Sequence, residues 1–303
     1  MTASPRRLQT IATFLLVALT AVWGSTFFLI RDLVQTVPAA DFLAVRFTIA
    51  AVLMVALFWR PLRGLSQRDV LAGIGLGTLY GVAQLLQTGG LAHTDASVSG
   101  FITGTYVVLT PVFTALLLRE RVPAATWYAV ALATAGLAML SLNGVSIGVG
   151  ESLTLVAAAL YALHIIGLGR YAVPSRATGM SVVQMIVIAG IAVVAALPDG
   201  MTWPSGAAQW WSVLYMATAV GVLALWSQTW AQAHMTATRA AIVMTLEPVF
   251  AAGFAVALGG ESLTGRMLVG GVLVLAAMYV VELAGRRPDR PASSVSEALH
   301  HEV

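Results

Sequence analysis

The chain has no cysteine and no lysine, and charged residues fill only 10% of its 303 positions. Without cysteine there are no disulfides, thiolate metal sites, Fe–S clusters or cysteine nucleophiles. The five histidines are scattered, without the H-x-x-x-H or H-E-x-x-H spacing of a metal site, so neither metal nor cofactor is expected. A soluble protein of this length carries roughly 25% charged residues to coat its surface. Here 16 basic and 13 acidic side chains cannot coat a 31.7 kDa globule, which excludes a water-soluble enzyme. A net charge of +3 gives no reason to expect nucleic acid as a partner.

What is abundant is apolar: 59% of residues, with a mean hydropathy of +0.87. A membrane-spanning helix needs about 20 mainly apolar residues. Such runs recur at Thr10–Ile30, Phe42–Trp59, Val70–Leu91, Val98–Leu118, Thr126–Leu142, Leu153–Leu168, Thr178–Leu197, Ala208–Trp230, Ala240–Leu258 and Met267–Leu283. The breaks between them carry turn and charge signals such as Arg60-Pro61-Leu62-Arg63 and Pro198-Asp199-Gly200. The expected fold is therefore an all-α polytopic membrane protein with ten transmembrane helices. The first run is too long for a signal peptide and ends without a cleavage site, so it reads as a permanent span.

Ten spans put both ends on one side. That side takes Arg6, Arg7, Arg60, Arg63, Arg68, Arg119, Arg121, Arg170, Arg176, Arg239, Arg286, Arg287 and Arg290; the other takes Arg31 and Arg266, with Arg46 left inside the second span. Short loops biased in this way are cytoplasmic, so both termini are expected inside the cell. Residues 1–9 form the cytoplasmic N-terminus, and 285–303, rich in Pro, Ser and charge, a disordered cytoplasmic tail.

An offset of 141 residues brings Gln87-Thr88 onto Gln228-Thr229, His93 onto His234, Phe113 onto Phe254 and Glu120 onto Glu261. The echo divides the chain into five-helix repeats at 10–142 and 151–284. Five is odd, so the two repeats are expected to lie inverted in the bilayer. Inverted repeats characterise secondary transporters whose site lies near the midplane, between the halves.

The stretches A-V-W-G-S-T-F-F-L-I-R, L-A-V-R-F-T-I-A-A and F-I-T-G-T-Y-V-V-L-T-P-V-F-T-A-L-L-L-R-E-R resemble the drug/metabolite transporter superfamily, EamA type. So does A-T-R-A-A-I-V-M-T-L-E-P-V-F-A-A-G-F-A-V-A-L-G-G-E in the second half, and the resemblance runs from Thr10 to Leu283. It implies a ten-span bacterial inner-membrane carrier, often an exporter of amino acids, other small metabolites or toxic amphiphiles. Many members carry Lys where this chain has Arg31, which makes a role for that cation an expectation.

Ionisable side chains inside a bilayer are costly and default to functional hypotheses. Glu247 lies about eight residues into the ninth span and is followed by Pro248, which frees a carbonyl one turn back. The pair suggests an interrupted helix lining a polar cavity, with Glu247 either a coupling or counter-ion group or a protonated partner of the broken backbone. Pro111 marks mid-depth in the fourth span and reads as a helix break. Arg46 either snorkels to the outer interface or partners a substrate carboxylate or an internal acid. Tyr80, Gln84, Gln87 and Thr88 form one helical stripe, to be kept from lipid and turned to a cavity or to other helices. Trp23, Tyr161, His164, Trp226 and Gln228 complete the candidate cavity lining. His164 reads as a proton relay or as a satisfied buried histidine.

Gly73, Gly77 and Gly81, like Gly100 and Gly104, read as close helix packing. Gly144-Val145-Ser146-Ile147-Gly148 matches a hydrolase pattern in letters alone, without its strand–turn–helix context. The spans lack the clustered acids that a membrane-embedded lipid-modifying enzyme would need, which ranks that alternative below a carrier. The leading expectation is alternating-access transport, by efflux, of a small amphipathic metabolite such as an amino acid; the alternative is a multidrug or cationic compound exporter. The partners expected are a small-molecule substrate, the lipid bilayer and protons as coupling ion.

Overall fold

The computed structural model describes residues 5–26, 29–30, 33–94, 96–141, 148–198, 200–258 and 263–285. Every regular element among them is helical. Seven helices are long and apolar enough to cross a membrane, and three shorter apolar stretches bring the spans to ten. Span 1 is Pro5–Gly24, span 2 Ala39–Arg63, span 3 Gln67–Leu91, span 5 Ala124–Ser141, span 6 Val149–Tyr171, span 7 Ala177–Ala196 and span 10 Gly265–Gly285. Three spans are not simple helices. Span 4 divides into Ala96–Gly104 and Tyr106–Leu117, and span 9 into Ala237–Met244 and Leu246–Leu258. Span 8 runs Gly206–Tyr215, then a π-helix Met216–Leu223, then Ala224–Gln232. Large apolar side chains such as Phe14, Leu57, Leu116, Val194, Leu223 and Val272 are exposed on the helices, as suits a surface bathed in lipid rather than water.

Several helix ends differ from the apolar runs, for local reasons. Span 1 stops at Gly24, six residues short of its run, with the chain turning through Ser25 and Thr26. A Cβ on Gly24 would stand 2.9 Å from the Glu247 carbonyl oxygen, so glycine lets span 1 rest directly on the backbone of span 9. Span 2 continues through Pro61 to Arg63 instead of ending near Trp59. The proline removes one helical hydrogen bond, and the strain appears as a kink at Phe58, where φ is −124°. Span 3 opens on a capping box: the Asp69 amide donates to Ser66 Oγ at 3.3 Å and the Ser66 amide to Asp69 Oδ2 at 3.0 Å.

The packing follows a rule of exchange. Spans 2 and 7 lie against each other, as do spans 5 and 10. Span 1 packs on spans 9 and 8, and span 6 packs on spans 4 and 3; span 2 meets span 8, and span 7 meets span 3. Swapping each span for the one five places along leaves this set of neighbours unchanged. The exchange is not perfect in degree. Span 3 fits closely because glycine faces its neighbours: a Cβ on Gly73 would lie 2.9 Å from Val183, and one on Gly77 2.8 Å from the Gln184 carbonyl. Span 8 carries Leu214 and Thr218 at the positions 141 residues later, and its contacts with spans 1 and 2 are less extensive.

Candidate functional site

A single cavity gathers ten of the residues singled out from the sequence: Trp23, Arg46, Tyr80, Gln84, Gln87, Thr88, Tyr161, His164, Gln228 and Glu247. Thr26, Ile30, Leu91, Thr103, Tyr106, Ile165, Val220 and Met244 complete the lining. The space open to the centres of water molecules is about 70 Å³, room for about five waters at 10–15 Å³ each. Ile30, Arg46 and Leu91 belong to the half of the molecule away from the termini, whereas Gln228 lies one turn from the opposite end of its span. The lining thus reaches from one turn inside the terminal side of span 8 to residues near the face opposite the chain ends.

Four pairs of lining residues stand 141 positions apart: Trp23 and His164, Gln87 and Gln228, Thr103 and Met244, Tyr106 and Glu247. The cavity therefore draws equivalent positions from both halves. The divided spans explain the last pair. Thr105 Oγ1 donates to the Ile102 carbonyl and Thr245 Oγ1 to the Ile242 carbonyl, each at 2.6 Å. In both cases the threonine backbone N–H also bonds three residues back, tightening the turn and ending the first half-helix. Tyr106 and Glu247 then fall in the first turn of the second half-helix.

The interruption expected at Glu247-Pro248 falls three residues before that proline, whereas the one in span 4 is displaced from Pro111. Pro111 stands inside an unbroken helix six residues beyond the interruption at Thr105. Pro248 follows the interruption at Thr245 and occupies the first turn of Leu246–Leu258, where its missing N–H removes no helical bond. Trp226 also departs from expectation: its Nε1 donates to Thr178 Oγ1 at 3.0 Å, holding the ring against span 7 and off the cavity lining.

Hydrogen bonds divide the polar lining into satisfied and unsatisfied groups. Gln84 Nε2 donates to Tyr161 Oη at 2.7 Å, Tyr161 Oη to Gln87 Oε1 at 2.8 Å, and Gln87 Nε2 to Thr103 Oγ1 at 2.9 Å. These three bonds tie spans 3, 6 and 4 into one wall. Tyr80 lies edge-on to Tyr161 and His164, with ring centroids 5.5 and 5.1 Å away. By contrast Arg46 Nε, Tyr106 Oη, His164 Nδ1 and Gln228 Oε1 are buried without a partner. A buried polar group left without a partner costs about 1–3 kcal/mol. Arg46 is 2% exposed. It touches Phe47 and Phe42, its guanidinium carbon 4.7 and 5.7 Å from their ring centres, and enters no ion pair among the described residues. The half-buried Glu247 likewise has no hydrogen bond or ion pair among the described residues.

Tyr106 was not legible as a site residue, because a tyrosine in an apolar run reads as core; its relation to Glu247 by the 141-residue offset was the available signal. Thr110 and Thr114, one and two turns further along span 4, are also buried with unpaired hydroxyls. With Tyr106 they make a file of three. Arg31, Glu261, the Gly144–Ile147 stretch and the tail after Gly285 lie outside the described residues. Among the described residues no three His, Asp or Glu side chains come together as metal ligands.

The comparisons agree with this architecture. The model of the EamA-like transporter family matches twice, over residues 10–142 and 148–283. An uncharacterized transporter from Archaeoglobus fulgidus is 31% identical over 264 residues, covering 86% of this chain and 82% of that protein. A crystal structure of a protein 18% identical superposes with a TM-score of 0.75, covering 92% of this chain and 99% of the other; that likeness speaks for the fold. Two successive matches leave almost none of the helical chain uncovered, and the protein is an integral membrane protein belonging to the EamA-like transporter family.

Proposed function

We propose that the protein is a secondary carrier that exports a small zwitterionic metabolite of the amino-acid type by alternating access around this cavity. The observation that carries the reading is one cavity lined by a guanidinium, Arg46, and a carboxyl group, Glu247, neither with an ion-pair partner among the described residues. A carboxylate on the cargo complements the first and an ammonium the second. The aromatic walls Trp23, Tyr80, Tyr106 and Tyr161 suit an apolar side chain between them. They also favour the second reading, a carrier of aromatic or cationic drugs held by cation–π contact.

Further elements of the proposal concern topology and coupling. The two halves, 10–142 and 151–284, lie inverted in a bacterial inner membrane, with both termini on the arginine-rich, cytoplasmic side. The cavity then faces outward, and rocking of one half against the other exposes it to the cytoplasm. Glu247 carries the coupling proton. Purified protein in liposomes with an imposed pH gradient tests this against a panel of amino acids, polyamines and cationic drugs. Saturable, gradient-driven flux of amino acids is expected, and Glu247→Gln should leave flux that no longer responds to the gradient. Absence of specific flux across the panel would sink the carrier reading; unchanged coupling in Glu247→Gln would remove only the role of that residue.

A further inference from the structure

Two hydrogen-bond chains run behind the cavity wall, and both end on it. The first lies between spans 6, 7 and 8. Thr229 Oγ1 donates to the Leu225 carbonyl at 2.8 Å, so its lone pairs face the neighbouring Gln184 Nε2 at 3.3 Å. The same Nε2 lies 3.4 Å from the Met180 carbonyl. A backbone carbonyl can only accept, so the NH₂ end of Gln184 must point there. Gln184 Oε1 is thereby turned to His164 Nε2, 2.9 Å away. An amide oxygen cannot donate, so His164 carries a hydrogen on Nε2, and in the neutral imidazole Nδ1 is left a bare acceptor.

The second chain obeys the same logic. Gln232 Nε2 donates to the Ile165 carbonyl at 2.9 Å, which turns Gln232 Oε1 toward Gln228. Gln228 must then offer Nε2, at 3.2 Å, and leave Oε1 over. The two leftover atoms, His164 Nδ1 and Gln228 Oε1, are among those buried without partners, and both residues line the cavity. Gln184 and Gln232 do not line it; they are buried, 0% and 1% exposed.

We infer that Gln184 and Gln232 are positioning residues: each is locked by a backbone carbonyl and fixes its cavity neighbour as a hydrogen-bond acceptor. His164 Nδ1, Gln228 Oε1 and the Glu247 carboxylate then give the cavity lining three acceptors for a group rich in N–H donors, of the primary-ammonium class. The inference deepens the proposed function, on whose cargo reading its ligand class rests, but the polarity of the two chains stands without it. A neutral hydroxyl offers one donor where an ammonium offers three, so the site discriminates by donor number as well as by charge.

The decisive measurement is the ¹⁵N spectrum of histidine-labelled wild-type protein, with the His164 signal identified by its loss in His164→Gln. His164 is expected as the Nε2–H tautomer with an unprotonated Nδ1; an Nδ1–H tautomer overturns the inference whatever the protein carries. Gln184→Leu should abolish the single tautomer. In liposomes, L-leucine and 4-methylpentanoate, which lacks the ammonium, serve as probes. Gln184→Leu and Gln232→Leu should each lower the preference for L-leucine by about tenfold, through KM with kcat retained. An unchanged preference in both variants overturns the positioning role. If wild-type protein carries neither probe, the amino-acid reading fails, and the tautomer alone decides the relay.

Discussion

At the scale of single residues, Arg46 sets the terms. A buried cation costs about 2.5–3.5 kcal/mol on insertion scales. Its contacts with Phe47 and Phe42 return about 0.5–2 kcal/mol each, enough to hold the folded state without repaying the whole cost at the lower end. No acid completes the balance among the described residues. A side chain kept in that condition is expected to find its partner on the cargo. Arg46→Gln should therefore leave the melting temperature in detergent unchanged or higher while cutting amino-acid flux by more than about tenfold, and Arg46→Lys should recover only part of it, because a point charge lacks the fork that grips a carboxylate. A variant that melts lower and transports normally would assign Arg46 to stability instead. Individual residues were the most legible part of the sequence. Polar or charged groups in long apolar runs announce themselves, and Arg46, Gln84, Gln87, Gln228 and Glu247 all line the cavity. Gln184 went unread because one amide in an otherwise apolar span carries no spacing to interpret.

At the scale of helices, the count was legible, and Glu247-Pro248 pointed to an interrupted span 9, which divides three residues before that proline. The division of span 4 lies six residues before Pro111 and was not legible; both divisions fall at threonines whose hydroxyls compete for a carbonyl three residues back. Threonine is too common in membrane helices for that competition to be read from sequence. The glycines of span 3 make a sharper test of helix packing. A Cβ on Gly77 would meet the Gln184 backbone at 2.8 Å, whereas one on Gly75 meets nothing within 4 Å. Gly77→Ala should destabilise the protein by about 1–3 kcal/mol through overpacking. Gly75→Ala should stabilise it slightly, by up to about 1 kcal/mol, through helix propensity. Thermal unfolding of the two variants side by side checks the contrast. Equal behaviour would mean that spans 3 and 7 do not pack as closely as described.

At the scale of the whole molecule, an ion pair ties two elements together on the terminal side of the bundle. Arg176 Nη1 lies 2.9 and 2.7 Å from the two carboxylate oxygens of Asp69, joining the start of span 3 to the turn between spans 6 and 7. Asp69 is nearly covered, its side chain 8% exposed, and Arg176 remains 46% exposed, so the pair serves as a fastening rather than a large source of stability. Asp69→Asn keeps the shape and loses the charge. The chain has no cysteine of its own, so a single Gln232→Cys can report access from the terminal face. Asp69→Asn should make that cysteine react faster with an impermeant thiol reagent, and an unchanged rate would mean that the pair does not hold this side shut.

The unequal packing of spans 3 and 8 has a consequence for the resting molecule. If the two halves trade roles during transport, the return stroke asks span 8 to nestle against its neighbours as span 3 does now. Where span 3 offers Gly73 and Gly77, span 8 presents Leu214 and Thr218, and bulk cannot be squeezed out of a dense interface without cost. The two orientations are therefore unequal in energy, and the one seen here is favoured by packing. The glycines act as ballast: they decide which way the vessel lists when its hold is empty, and the cargo must supply the tilt.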